Sequence, residues 1–166
     1  GIDGVPYFTN ETVFDQLCEK PERMIVLGGG PIGCELGQAL NRLGVRVTIL
    51  QRGPQILPKE DPDVAGFMQA RFEAEGIEVL TRAEAKRLEM RDGQVYLEAL
   101  HGRPEVGEEL PLQFTAQVLL VAAGRIPNVE GLCLDAAGVK FRKRGVEVNE
   151  YLQTSQPHIY AAGDIT

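Results

Sequence analysis

An α/β fold is predicted for this chain: a parallel sheet with helices, into which a three-stranded antiparallel β-meander is inserted. Three observations predict it. A short continuous apolar run at 24–27 suits a strand buried on both faces of a parallel sheet, 45–50 and 77–80 read as two more strands, and 118–122 reads as another buried strand. Segments of helical period separate the first three of these runs, and the period changes to alternation between 82 and 112. A glycine-rich loop, Gly28-Gly29-Gly30-Pro31-Ile32-Gly33, joins the first run to the first long helix.

Taken in order, Gly1 to Pro6 reads as a linker, and residues 11–17 as a short helix capped by Thr9 or Asn10 and packed beside the sheet. After the strand at 24–27, Ile32, Leu36, Leu40 and Leu43 form one apolar stripe of a helix that Gly44 stops. The strand at 45–50 is β-branched at Val45, Val47, Thr48 and Ile49. A proline-rich loop over 53–58 leads to Asp61-Pro62, where Asp61 can cap the free amides and Pro62 occupies the first turn at no cost. Val64, Phe67, Met68 and Phe72 are expected to make the buried face of that helix, and Gly76 ends it before the strand at 77–80. The meander is expected to have strands near 84–90, 94–100 and 108–112, with a hairpin turn at Arg91-Asp92-Gly93, where glycine tolerates positive φ. The strand at 118–122 then runs into Gly124-Arg125-Ile126-Pro127-Asn128.

Composition narrows the function classes. With 166 residues and an apolar fraction of 43%, the chain suffices for one core and is expected to fold alone. A net charge of -7 and a pI near 4.9 supply no positive field for nucleic-acid phosphates. No apolar run approaches the ~20 residues that span a bilayer, so no membrane partner and a cytoplasmic location are expected. The three cysteines, Cys18, Cys34 and Cys133, show no paired spacing and read as small buried apolar residues. The two histidines, His101 and His158, lack ligand spacing, so no metal site is expected. Both ends read as trimmed from a longer chain.

The chemistry lies in the glycine loop. A G-x-G-x-x-G that follows a strand, opens a helix and leads to a second strand within about thirty residues is a Rossmann-like dinucleotide site. Gly28 allows the tight turn, Gly30 lets backbone approach a pyrophosphate, and Gly33 lets the helix pack against the strand. The amides of the helix start, with the positive end of its dipole, hold phosphate. At the end of the second strand, where an acidic residue commonly meets the ribose 2′-hydroxyl, stand Gln51 and Arg52. Glutamine does not repel a 2′-phosphate and Arg52 can pair with one, Lys59 being a second candidate cation, so NADP(H) is favoured over NAD(H). The alternative is that Arg52 is an ordinary surface arginine and NADH the cofactor. Glu35 is expected in the first turn of the helix, where the dipole favours a carboxylate.

Three ordered stretches carry a resemblance: 28–35, from the glycine loop to Glu35; Val121-Ala122-Ala123-Gly124-Arg125-Ile126-Pro127-Asn128; and Ile159-Tyr160-Ala161-Ala162-Gly163-Asp164. In that order and spacing they resemble the pyridine nucleotide-disulphide oxidoreductases, whose members include dihydrolipoamide dehydrogenase, glutathione reductase and mercuric reductase. Gln51-Arg52 and Lys59-Glu60-Asp61-Pro62 incline towards the mercuric reductase branch, which uses NADPH. The resemblance implies that 1–20 leads from a preceding FAD domain, 21–150 is the NAD(P)-binding domain, and 151–166 returns towards the FAD domain. It places Ala123, Gly124 and Arg125 with the nucleotide, Glu35 beside nicotinamide and flavin as the candidate catalytic residue, and Gly163 and Asp164 on FAD in the full-length protein. It also implies a C-terminal dimerisation domain, a homodimer, and electrons passing from flavin to a cysteine pair and on to a disulfide or metal. The fragment alone is expected to be inactive. Many members carry tyrosine where Pro31 stands. Two other readings stay open: an NADH oxidase or soluble transhydrogenase of the same fold, and a non-catalytic dinucleotide-sensing module.

Overall fold

The computed structural model describes residues 1–103, 107–124 and 126–166, and the chain divides into two compact units, Gly1–Gly124 and Arg125–Thr166. In the first unit, β1 (Arg23–Leu27), β2 (Arg46–Leu50), β3 (Glu78–Leu80) and β7 (Val118–Val121) form a parallel sheet in the order β3-β2-β1-β7. Helix α1 (Val13–Gln16) precedes β1, α2 (Pro31–Arg42) lies between β1 and β2, and α3 (Pro62–Ala74) between β2 and β3. The antiparallel meander of β4 (Ala83–Arg91), β5 (Gln94–Arg103) and β6 (Glu108–Ala116) is inserted between β3 and β7, as the sequence predicts.

The apolar character of β1 and β7 has a direct cause, because side chains on both faces of the sheet are packed against other elements. Successive side chains of a strand point to opposite faces. Met24 and Val26 of β1, Val47 and Ile49 of β2, and Val118 and Leu120 of β7 therefore join one core cluster with Val13, Cys34 and Phe72 from the helices. Ile25, Leu50 and Leu119 join a second with Val95, Leu97 and Ala99 of the meander. The N-terminal stretch contributes too: Val5 is buried, and Phe8 bridges in parallel to Leu120 at the outer edge of β7.

The caps are only partly those expected. Neither Thr9 nor Asn10 caps α1: Thr12 stands at its N-cap without a side-chain capping bond, and in the turn before it Thr9 Oγ1 accepts from the Glu11 N–H while Thr12 Oγ1 accepts from the Thr9 N–H. Asp61 stands at the N-cap of α3, yet its side chain makes no capping bond. Two buried faces differ from expectation. On α2 the residues pressed onto the sheet are Gly33, Cys34 and Gly37; Leu36 and Leu40 flank them, and Leu43 is exposed. On α3 Ala65 and Phe72 are buried, Met68 is half-buried, and Val64 and Phe67 are exposed. At about 100° per residue, Phe67 lies ~140° round the helix from Phe72, so only one of them can face the sheet.

The C-terminal ends of α2 and α3 are joined at Glu75. Its carboxylate accepts from Gln38 Nε2 (3.1 Å), Arg42 Nε (2.9 Å) and Arg71 Nε (2.7 Å), and Asn41 Nδ2 donates to its backbone carbonyl (3.0 Å). These donors, Arg42 foremost, pull the Glu75 carboxyl from its ordinary 4.5 down to about 2. A lowered folded-state pKa contributes stability that is full above the ordinary value and is lost as pH falls through the lowered one. Glu75→Gln is therefore expected to lower the melting temperature at neutral pH. Thermal melts across pH should show the gap to wild type closing between pH 4.5 and about 2; a gap that stays constant would assign the effect to shape alone.

The meander turn is the expected one. Asp92 (φ 49) and Gly93 (φ 76) both take positive φ between paired Arg91 and Gln94, the geometry of a two-residue type I′ hairpin. All three strands run longer than alternation suggested. The second unit holds a two-residue hairpin, β8 (Phe141–Arg142) with β9 (Gly145–Val146), tied to its own C-terminal segment by the Val146 N–H donating to the Ile165 carbonyl (2.7 Å). No helix among the described residues is long and apolar enough to cross a membrane.

Candidate functional site

β1 has β2 on one side and β7 on the other, so the connections leaving its carboxyl end diverge and open a crevice there. The glycine loop occupies that crevice, and its three motif glycines meet different surroundings. Gly28 has φ 110, and a Cβ on it would lie 2.4 Å from the Ala122 carbonyl oxygen. A Cβ on Gly33 would lie 2.0 Å from the Gly28 carbonyl oxygen, so the helix closes onto the loop with no room for a side chain. Gly30 is the opposite case. Its φ of -76 and ψ of 179 suit any residue, and a Cβ there would meet nothing within 4 Å. The first intrahelical bond of α2 is Cys34 N–H to the Gly30 carbonyl, and Pro31 has no N–H. The amides of Ile32 and Gly33 consequently have no intrahelical acceptor.

Glu35 is the fifth residue of α2, exposed, and no acidic residue lies in the first turn. This corrects the expected first-turn position. The dipole's positive end is left without an internal carboxylate to neutralise it.

The loop is braced from below. Leu57 N–H donates to the Gly29 carbonyl (2.6 Å), fully buried Ile56 packs where a Gly29 Cβ would go, and Gln51 Oε1 accepts from the Gly29 N–H (3.0 Å). Because an N–H can bond only the oxygen of the carboxamide, Gln51 keeps its Nε2 donor for other partners. Arg52 is exposed, and so is Lys59, which lies on the turn two residues beyond Leu57. Ala123 and Gly124 sit at the end of β7 against the loop, with Ala123 Cα 2.8 Å from a Gly28 Cβ position. Arg125 lies outside the described residues. Gly163 (φ 86) and Asp164 are exposed on the second unit.

Two features escape a reading of sequence. Ile56 and Gln51 act as the loop's support, which proline-rich spacing conceals. Arg82 is brought against the loop that follows β2: its N–H donates to the Gly53 carbonyl (2.8 Å) and the next N–H, of Ala83, to the Gln51 carbonyl (3.0 Å). The cysteines also divide. Cys34 is buried, its thiol pushed up to about 11 by burial, with the Leu57 backbone opposing and the Glu35 charge adding. Cys18 and Cys133 are exposed, contrary to expectation, since each sits in an irregular segment outside the sheet and its helices. Among the described residues no group of three or more His, Cys, Asp or Glu side chains could hold a metal ion.

The family model described as pyridine nucleotide-disulphide oxidoreductase matches residues 3–166. A mercuric reductase of Staphylococcus aureus is 38% identical over 169 residues, taking in 100% of this chain and 29% of the relative. A dihydrolipoyl dehydrogenase of Thermus scotoductus is 43% identical over 148 residues, 87% of this chain and 31% of the relative. Among solved structures, the HOCl-induced flavoprotein disulfide reductase RclA from Escherichia coli superposes with a TM-score of 0.80 at 28% identity, over 99% of this chain and 36% of that one. The chain thus spans between 29% and 36% of the length of these proteins.

Proposed function

The chain belongs to the pyridine nucleotide-disulphide oxidoreductase family, and from that premise we propose that it is the NAD(P)H-binding part of an FAD-dependent oxidoreductase. The observation that carries this reading is the open space at Gly30, set between two glycines that are closed by backbone. A pyrophosphate fits there. The amides of Ile32 and Gly33 face it, no first-turn carboxylate repels it, and Pro31 shapes the approach without adding a donor. Gln51 and Arg52 take the adenosine ribose, with Lys59 as an outlying cation, and Ala123 and Gly124 at the end of β7 join the nucleotide site, to which the family resemblance adds Arg125. When bound, the dinucleotide supplies a hydride that the flavin accepts, and the chemistry belongs to the two cofactors. This chain's part is to bind and orient. Glu35 stands on the nicotinamide side, and Gly163 and Asp164 are this chain's contribution to the flavin site.

Residues 21–150 form the nucleotide domain in this reading, with 1–20 and 151–166 running to and from an FAD domain. The whole protein is a homodimer that passes electrons from flavin to a sulfur or metal acceptor, in the manner of the mercuric reductases. NADP(H) is the preferred cofactor. Gln51 supports this: with its oxygen committed to Gly29, it offers a donor, which suits a phosphate acceptor.

Calorimetry with NADPH and NADH tests the reading. The isolated chain should bind NADPH more tightly, without retaining flavin absorbance. Arg52→Ala should weaken NADPH by roughly 1.5 to 3 kcal/mol, the range for a hydrogen bond to a charged group, or about ten- to a hundredfold. NADH should change little. Gln51→Glu should keep the bond from Gly29 but turn the preference towards NADH, by repelling a 2′-phosphate. Equal loss of both cofactors in Arg52→Ala would make Arg52 a surface charge only, and no binding of either at millimolar concentration would remove the site.

A further inference from the structure

Arg82 has a backbone that its residue type seldom adopts. Its φ is 53, in the left-handed region where glycine and asparagine are the usual occupants, and a non-glycine residue held there is strained. Such strain persists when surrounding structure imposes it, and it gathers at functional sites. The imposing structure here is the end of β2. Arg82 N–H and Ala83 N–H donate in succession to the carbonyls of Gly53 and Gln51, and the Arg82 carbonyl accepts from Gly102 N–H at 2.9 Å. The turn from β3 into β4 is thereby fastened to the loop that carries Arg52. Glycine would satisfy all three bonds without strain, so the backbone alone gives no reason for an arginine.

The charges supply one. Ala83 is buried, while Arg82 and Glu84 on either side of it are exposed. Lys86, 2.6 Å away, foremost, and the more distant charge of Arg52 as well, hold the Glu84 carboxyl below the usual carboxylate range. Arg52 therefore lies within electrostatic reach of the stretch that begins with Arg82. The one carboxylate there is already matched by Lys86. Neither Arg52 nor Arg82 makes a salt bridge among the described residues, in a chain whose net charge is -7. Two exposed arginines, one preceding Gly53 in sequence and the other bonded to its carbonyl through the backbone N–H, suit a ligand group that carries two negative charges and several acceptor oxygens. A phosphate monoester has that chemistry.

We propose that Arg82 is a specificity-determining residue, the second cation, beside Arg52, of a subsite for the 2′-phosphate of the dinucleotide. The inference rests on the nucleotide-binding reading above and adds a residue from another strand connection to it. The fold tolerates the strain at position 82 because the side chain there meets the phosphate.

The test uses the chain of 166 residues and two probes that differ only in the phosphate concerned, adenosine 2′,5′-bisphosphate and adenosine 5′-monophosphate. Arg82→Gly should weaken the bisphosphate by about tenfold while leaving the monophosphate within about twofold, as expected for loss of one charge-assisted bond. Its melting temperature should stay level or rise, because glycine accepts the left-handed backbone. Arg82→Lys should retain part of the discrimination, and raising the salt should shrink the wild-type preference. Unchanged discrimination in Arg82→Gly, or equal weakening of both probes, would overturn the assignment. Arg52→Ala run in parallel separates the two readings. If it loses discrimination and Arg82→Gly does not, only the role of Arg82 fails; if wild type binds neither probe at millimolar concentration, the nucleotide site fails and Arg82 with it.

Discussion

Gly30→Val is expected to abolish dinucleotide binding while leaving the fold intact. The backbone at Gly30 has ordinary angles, and a Cβ there projects into open space, so valine introduces no internal clash. That same space is where a pyrophosphate must approach the amides of Ile32 and Gly33, and a branched side chain fills it. The loss expected is that of several charge-assisted bonds at roughly 1.5–3 kcal/mol each, enough to put binding beyond calorimetric reach. Melting temperature and NADPH titration on the same sample decide the matter. A folded variant of unchanged affinity would place the nucleotide elsewhere.

Gly33→Ala should do the reverse damage. One methyl group there would sit 2.0 Å from the Gly28 carbonyl oxygen, a backbone atom fixed in turn by the contact of Gly28 with Ala122. Neither can yield without separating α2 from β1. A destabilisation of roughly 3 kcal/mol, the upper end for overpacking, is expected. In a domain of this size that lowers the melting temperature by roughly 6–12 °C. Binding should weaken as a consequence of the distorted loop, and a stabilising osmolyte should recover part of it, whereas Gly30→Val should not respond. A Gly33→Ala protein that melts with wild type would show that α2 does not pack as closely as described.

The glycines illustrate what could be read in advance. Their spacing after a strand and before a helix identifies the loop, and local chemistry assigns the turn at Asp92-Gly93, because the requirement for positive φ belongs to the residues themselves. The strands β1 and β7 were legible for a related reason. A continuous apolar run reports two covered faces whichever partners cover them.

Helix faces were less legible. On α2 the leucine stripe is real, but it lies ~100° round the helix from Gly33, Cys34 and Gly37, which face the sheet. Close approach to a sheet selects small residues, so the most apolar side and the most buried side differ. On α3 Val64 and Phe67 share the apolar character of Phe72 without sharing its direction. Periodicity reports that a stripe exists, and only the partner surface says which part of it is covered.

By itself, then, the sequence determined the element order, the parallel sheet with its inserted meander, the position of the glycine loop and the family, all of which rest on interactions within a few residues or on burial in general. Only the tertiary structure decided which residues meet across long separations: Gln51 tethering Gly29, Ile56 and Leu57 bracing the loop, Glu75 joining α2 to α3, and Arg82 brought against Gly53. These pairings depend on how segments 22 to 37 residues apart in sequence come to lie side by side. Hydrogen bonds and ion pairs act over a few ångströms in space, a distance that residue spacing alone does not report.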